Sequence, residues 1–369
     1  MNRRTFLKNT ASFVASASFA LPFTFGKVAP KADALEKTSK GNTMKKLEGL
    51  ERGKHYIAHM GCIESCLSYL GVEISTPWIY GGTGHAFISN IPKDLCPSGP
   101  TAWHTDMLFQ LAPNLGYTSE GVKFSREDAN VDWSKKDADG VFSEKQKEAW
   151  DLVRASIDQG LPCYGFELQH PDFYVINGYD DTGYYYKRHP AEPGDGHLEW
   201  QKLGTWDVKV IEVYSVKTCD PAPVEKAVKD AFAMVLRHGE GEWNLKDKWT
   251  AGLDGLKVWA DALESGNAMI DGHEYNTICW HECREMAVEF LKEADQRLNG
   301  KLNSTFGEAI EHYTVSRDRL KTLFEICPKR EKADWETTFV SLEGAALVRE
   351  AYEAESKGLE CLRQISAAL

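Results

Sequence analysis

The sequence predicts an α+β domain followed by an all-α helical bundle, and three observations carry that prediction. Between Leu161 and Val216, short runs rich in aromatic and β-branched residues are separated by Gly-, Asp- and Pro-containing turns. From Val224 onwards the long segments have helical periodicity without strand-like alternation. The texture changes at Cys219-Asp220-Pro221-Ala222-Pro223, and Pro328 is the only proline beyond it. The chain has 369 residues, enough for two domains, each with its own core. Apolar residues make up 42% and charged residues 27%, as in ordinary soluble proteins.

The first residues stand apart from that fold. Asn2-Arg3-Arg4-Thr5-Phe6-Leu7-Lys8 is a twin-arginine pattern, and a weakly apolar run without acids continues to Phe25. Ala32-Asp33-Ala34 offers a small-residue cleavage site, so residues 1–34 read as a signal peptide for export to the periplasm or beyond. Ser, Thr and Pro22 interrupt the run, and no other segment approaches transmembrane length, so no stable membrane span is expected. Loss of five basic residues and one acidic residue with this segment takes the net charge from −12 to −16. Such an acidic surface argues against nucleic acid or anionic membranes and leaves a small-molecule or peptide substrate as the expected partner. The oligomeric state stays open.

Residues 35–50 read as a polar tether. The stretch His55 to Asn90 organises the rest of the chain. In Gly61-Cys62-Ile63-Glu64-Ser65-Cys66-Leu67-Ser68-Tyr69-Leu70, the residues Ile63, Cys66, Leu67 and Leu70 recur at helical spacing, and Gly71 suits the left-handed position that closes a helix. Cys62 is thereby placed at a helix N-terminus, where unpaired N–H groups and the helix dipole favour a thiolate. The plainer alternative is that Cys62 and Cys66 are small core hydrophobes.

Ser75-Thr76-Pro77 reads as a break. The segment 78–87 then places three glycines among aromatics, which means a turn or a close approach to a ligand; it lacks the Lys-Ser/Thr of a phosphate loop. Trp78, Gly82, Gly84 and His85, with Trp103, are the candidate substrate-binding residues. Trp103 to Leu115 reads as a helix, residues 125–145 as a charged loop, and Gln146 to Gln159 as an amphipathic helix. Leu161–Leu168, Asp172–Asn177 and Tyr184–Arg188 read as strands, with at least one more between Gly204 and Val216. Helical periodicity marks 224–238, 252–265, 275–298, 305–326 and 336–366.

A cysteine at a helix start, with a small antiparallel sheet about a hundred residues later, is the layout of a papain-like fold. The segment Gly160-Leu161-Pro162…His170-Pro171-Asp172-Phe173-Tyr174-Val175-Ile176-Asn177-Gly178-Tyr179-Asp180-Asp181…His189-Pro190 resembles the second half of such domains. It is most similar to the butirosin biosynthesis protein H N-terminal-domain family, related to the double-glycine leader peptidases. The corresponding family run reads Gly-x-Pro, His before an apolar strand, Gly-Tyr-Asp, and Asp-Pro after the next strand. Residues 252–260 and 284–291 resemble the helical domain that comes next in those acyltransferase-like proteins.

The resemblance spans most of residues 53–300. It implies a papain-like cysteine-peptidase-type domain over 51–218 and a helical bundle domain over 224–369. It further implies cysteine-dependent acyl transfer or amide hydrolysis, with Cys62 as nucleophile, His170 or His189 as base and Asp172 as orienter. Three departures stand out, the first being that the segment from Cys62 to Gly71 is about one helical turn shorter than the family's usual cysteine helix. Asp172 occupies the place of the family's His, and His189-Pro190 stands for its Asp-Pro. The pair is then reversed, with Asp172 and His189 facing each other across adjacent strands, or His170 supplies the base from the same strand face as Asp172, or the machinery has decayed. A non-catalytic ligand- or peptide-binding protein that retains the fold is the alternative function.

Metal and cofactor are not expected. His55 and His59 are four apart and could join Cys62 or His85, but no acidic ligand at metal-site spacing accompanies them. Cys279-Trp280-His281-Glu282-Cys283 lacks a second Cys/His pair and reads as core packing. The nine cysteines are scattered, and their odd number leaves at least one thiol unpaired.

Overall fold

A computed structural model describes residues 34–37, 43–101, 109–125, 138–188, 194–206, 209–243, 248–328 and 337–369. The expected signal peptide up to residue 33, Trp103 and His189 lie outside the described residues. In chain order the elements are β1 (Ala34–Lys37), β2 (Thr43–Lys46), α1 (Ala58–Tyr69), α2 (Thr76–Gly82), β3 (Asn90–Pro92), β4 (Tyr117–Ser125), α3 (Ala138–Asp158), β5 (Cys163–Phe166), β6 (Phe173–Tyr179), β7 (Gly183–Lys187) and β8 (Asp195–Glu199). They continue with β9 (Val210–Thr218), α4 (Val224–Gly239), β10 (Trp249–Ala251), α5 (Gly252–Ser265), β11 (Ala268–Met269), α6 (Ile270–Arg297), α7 (Asn303–Ile326), β12 (Thr338–Phe339) and α8 (Leu342–Ala368). The protein is mixed α and β with an antiparallel main sheet and a helical C-terminal region.

The chain divides into two compact units. The first takes residues up to Ile74 and Tyr117–Cys219; the second takes Ser75–Gly116 and Asp220–Leu369. Residues 75–116 therefore belong with the helices, whereas the sequence placed them in the α+β domain. Their apolar side chains explain the difference: Trp78 and Phe87 both pack on Phe290 of α6, with ring centroids 5.2 and 6.0 Å apart.

In the first unit an antiparallel sheet runs in the order β1-β2-β6-β5-β9-β4, and β7 pairs with β6 and β8. The tether expected over 35–50 is instead partly sheet. Lys45 and Lys46 of β2 pair with Tyr179 and Gly178, and the Leu47 N–H donates to the Asn177 carbonyl at 2.7 Å. Buried Leu47 and Leu50 hold this entry to the fold. Helix α1 packs on β5, β6 and β9. It closes as the sequence predicts: Gly71 is left-handed (φ 71°), and the Val72 N–H reaches back to the Leu67 carbonyl at 3.0 Å. A bulge in the β6–β7 pairing between Ile176 and Gly178 re-aims β6. Phe173 thus meets His59 of α1, while Tyr179 meets Trp150 of α3. Helix α3 begins at Ala138, inside the stretch expected to be loop.

In the second unit Ser75-Thr76-Pro77 starts a helix rather than breaking the chain. The Ser75 hydroxyl accepts from the Trp78 N–H at 3.1 Å, and the proline sits in the first turn, where it lacks no needed donor. Ala86-Phe87-Ile88, all buried, lie beyond a left-handed Gly84 in and after a 3-10 turn. Helices α4, α5 and α7 follow the predicted periodic segments closely. Helix α6 begins five residues early, at Ile270, and α8 begins only at Leu342, after strand β12 has taken Thr338–Phe339. The short antiparallel ladders β3–β10 and β11–β12 accompany them. A buried ion pair ties these segments together. The Arg284 guanidinium of α6 donates to both carboxylate oxygens of Glu355 in α8, at 2.7 and 2.8 Å, and to the Ile88 carbonyl at 2.7 Å. Ser316 of α7 donates to the same carboxylate at 2.6 Å.

The glycines of 81–84 serve this packing. A Cβ on Gly81 would lie 1.9 Å from Phe290 Cγ, and one on left-handed Gly84 would lie 1.9 Å from Met234 Cε. Gly81→Ala is expected to cost about 1–3 kcal/mol through overpacking. Urea unfolding should show that loss, and Phe290→Leu in the same chain should recover part of it.

Candidate functional site

Cys62 is the fifth residue of α1, not its first, because Ala58, His59 and Met60 extend the helix upstream. The Gly61 N–H is already paired to the Ile57 carbonyl at 3.1 Å, so the orphan donors that favour a thiolate lie a turn away. The side chain is fully buried. The cation beside the thiol is one the sequence did not single out, Arg52.

The segment carrying Arg52 runs hard against α1. A Cβ on Gly53 would stand 2.8 Å from the Gly61 carbonyl oxygen, so this approach requires a residue without one. It delivers the Arg52 guanidinium to Asp172, with Nη2 2.8 Å from Oδ2 and both side chains almost wholly buried. The guanidinium also lies over the Tyr174 ring, 5.3 Å from its centroid. Asp172 is anchored on its other side. Its Oδ1 accepts from the Phe173 N–H at 2.9 Å, its own N–H donates to the His170 carbonyl at 2.7 Å, and its carbonyl accepts from the Glu167 N–H at 3.0 Å.

Burial sets the electrostatics. It pushes the Cys62 thiol up to about 12, against the opposing pull of the Arg52 guanidinium, while the Asp172 carboxylate reinforces the rise. Asp172 itself is raised by burial, with Arg52 and the Phe173 N–H working the other way. Arg52 is raised: burial opposes its charge, but Asp172 and the neighbouring thiol and phenol outweigh that opposition. The charges acting on the thiol are thus a cation and an anion already paired with each other.

Of the predicted residues, Asp172 comes beside Cys62, while the described part of the substrate-binding set lies in the other unit. Strand β6 starts at Phe173, so His170 and Asp172 lie in the bend before it rather than on one strand face. Buried His170 sets its ring against Trp206, with centroids 5.8 Å apart. His59, one turn before Cys62, sits among the rings of Tyr164, Phe173 and Tyr214. His55 pairs with Glu64 at 2.8 Å. Trp78, Gly82, Gly84 and His85 belong to the second unit and are buried in its packing, not arranged around a ligand cleft as expected. A Cβ on Gly82 would meet Leu115 at 2.4 Å, and Trp78 carries the Arg297 guanidinium 3.9 Å above its ring. Burial lowers His85 to about 4, and its Nδ1 lies 3.9 Å from Cys283 Sγ. Among the described residues no group of three His, Cys, Asp or Glu side chains is placed to hold a metal ion. All nine cysteines are free thiols, Cys279 and Cys283 among the buried ones.

Within the first unit, a cleft of about 410 Å³ opens between residues 49–53 and the outer face of α1, and Arg52 lines it. Arg52 was hidden in the sequence because its partner is 120 residues away. The local signal was its place beside Gly53, which foreshadowed a close backbone approach.

Arg52→Met strands the Asp172 carboxylate in the interior and is expected to cost about 3–5 kcal/mol at neutral pH. Asp172 has a higher pKa folded than unfolded, so its proton-linked stability is present below the unfolded value near 4 and is lost as pH rises through the folded value. The variant's deficit should therefore be largest at pH 7 and shrink towards pH 4, as read by urea unfolding at the two pH values. Comparison of the chain with protein-family models and with curated proteins finds no match.

Proposed function

We propose that the first unit is a ligand- or peptide-binding protein built on a papain-like layout, in which the cysteine has lost its proton acceptor. The observation that carries this reading is the Arg52–Asp172 pair beside the Cys62 thiol, with Asp172 in the sequence place of the resembling family's His. A guanidinium cannot accept the thiol proton, and burial pushes the thiol up to about 12, which opposes its transfer to the neighbouring carboxylate. The packing of α1 on the antiparallel sheet and the resemblance of residues 160–190 to the butirosin biosynthesis protein H N-terminal-domain family both support the papain-like layout.

Cysteine-dependent amide hydrolysis or acyl transfer is the second reading. Arg52 favours it, since a cation against a thiol is the type of neighbour that stabilises a thiolate. Iodoacetamide labelling of the folded protein across pH separates the two. Cys62 is expected to label slowly from pH 6 to 8 and to react at the rate of an ordinary thiol only on unfolding. Fast labelling of Cys62 near pH 6, abolished by Cys62→Ala, would overturn the binding reading in favour of the enzyme.

Export by the twin-arginine route is part of the same proposal, carried by Arg3-Arg4 and the weakly apolar run behind them. Replacing both arginines by lysine should retain folded protein in the cytoplasm, as measured by cell fractionation. Undiminished export of that variant would count against the route.

A further inference from the structure

The sequence contains two Asn-Gly dipeptides, Asn177-Gly178 and Asn299-Gly300, and the fold sets them in opposite surroundings. An asparagine followed by glycine is open to attack on its side chain by the glycine's own backbone nitrogen. A larger residue in second place shields that nitrogen with its Cβ, and glycine has none. The reaction also needs a backbone free to bring the nitrogen onto the side-chain carbonyl carbon, room for a five-membered ring, and water.

Asn177-Gly178 is denied all three. Asn177 is wholly buried in β6, and its carbonyl accepts from the Leu47 N–H at 2.7 Å. Gly178 pairs with both Lys46 of β2 and Tyr185 of β7, and a Cβ on it would stand 2.6 Å from the Lys45 carbonyl oxygen.

Asn299-Gly300 lies in the turn between α6 and α7, where both residues are exposed. Both are left-handed, at φ 57° and 66°, and no atom beyond the adjoining residues lies within 4 Å of where a Gly300 Cβ would sit. The Asn299 carboxamide makes no hydrogen bond among the described residues. One restraint acts on the attacking nitrogen: the Gly300 N–H donates to the Asp295 carbonyl at 2.9 Å, at the very end of α6. Hydrogen bonds at a helix end open far more often than the fold as a whole.

We propose that Asn299 is a site of spontaneous deamidation in the folded protein. The Gly300 nitrogen, deprotonated by hydroxide, forms a bond to Asn299 Cγ. The bond from Cγ to the side-chain nitrogen breaks, and that nitrogen takes a proton from water and leaves as ammonia. Water then opens one of the two carbonyls of the resulting cyclic imide, giving aspartate or isoaspartate. Either product puts a carboxylate at the carbonyl end of α6, where the helix dipole disfavours negative charge. The new carboxylate also lies close in sequence to Lys301, which pairs with Glu225 of α4 at 3.3 Å. Isoaspartate further adds a methylene to the backbone of the short connection 298–302. This turn belongs to the helical unit, so its chemistry is independent of how the first unit acts.

The full chain is held warm at mildly alkaline pH for weeks and its peptides are mapped by mass spectrometry, with an isoaspartyl methyltransferase marking isoaspartate. A mass gain of about one dalton at Asn299 is expected, at least about tenfold faster than at Asn177, since the turn opens locally and β6 only with its sheet. Concentrated urea should close that gap by freeing Asn177. Higher pH should speed the gain at Asn299, and Asn299→Ser should remove it. Absence of the gain at Asn299 in the folded protein overturns the proposal, as does a gain no faster than at Asn177 or one indifferent to pH.

Discussion

The first unit depends on one contact between two charges that have almost no water around them. Arg52 and Asp172 remain ionised together only because each lies within hydrogen-bond distance of the other, and removing either would leave an uncompensated charge in the interior. The contact dictates backbone positions far from itself. The chain at Gly53 must pass over α1 so closely that a Cβ there has no room, and the bend at 167–172 must present a carboxylate where β6 begins. Glu167 marks the cost of that bend: it is buried and non-glycine, yet held at φ 60°. The chemistry of Cys62 derives from the same contact, since its cationic and anionic neighbours oppose each other and burial decides its protonation.

What was legible in the sequence was local. The closing of α1 at Gly71 and the extents of α4, α5 and α7 can be read from apolar spacing and caps that lie within a few residues of each other. Cys62 was misplaced by the same local logic. Gly61 resembles a helix start, but Ala58 to Met60 are buried, and the tertiary packing of α1 on the sheet extends the helix through a glycine. The three glycines at 81–84 did signal a close approach, though the approaching groups are Phe290, Leu115 and Met234 rather than a ligand. The polar stretch Thr43–Lys46 carries no apolar pattern of its own, and its strand character comes from the partner edge of β6.

The helical unit solves a similar problem with a different degree of completion. Arg284, wholly buried, has its guanidinium met by a bidentate carboxylate and by the carbonyls of Ala86 and Ile88, and Ser316 adds a further hydrogen bond to Glu355. This network has the satisfaction expected of a structural device. Arg52 has one carboxylate oxygen, a tyrosine face and a donor left over. The two arginines thus differ in how fully their donors are met.

The way the chain visits its two units has a consequence during synthesis. Residues 43–74 and 117–219 can complete the first unit once Thr218 has left the ribosome, but residues 75–116 are made before their partners exist. Asn90–Pro92 waits for Trp249–Ala251 to form its ladder, and Gly81 waits for Phe290. At ordinary translation rates that interval is on the order of ten seconds or more. Throughout it Trp78, Ile79, Tyr80, Phe87 and Ile88, all buried in the finished protein, lack the helices they will pack against. The nascent chain therefore holds these apolar side chains without their packing partners until the last helices arrive.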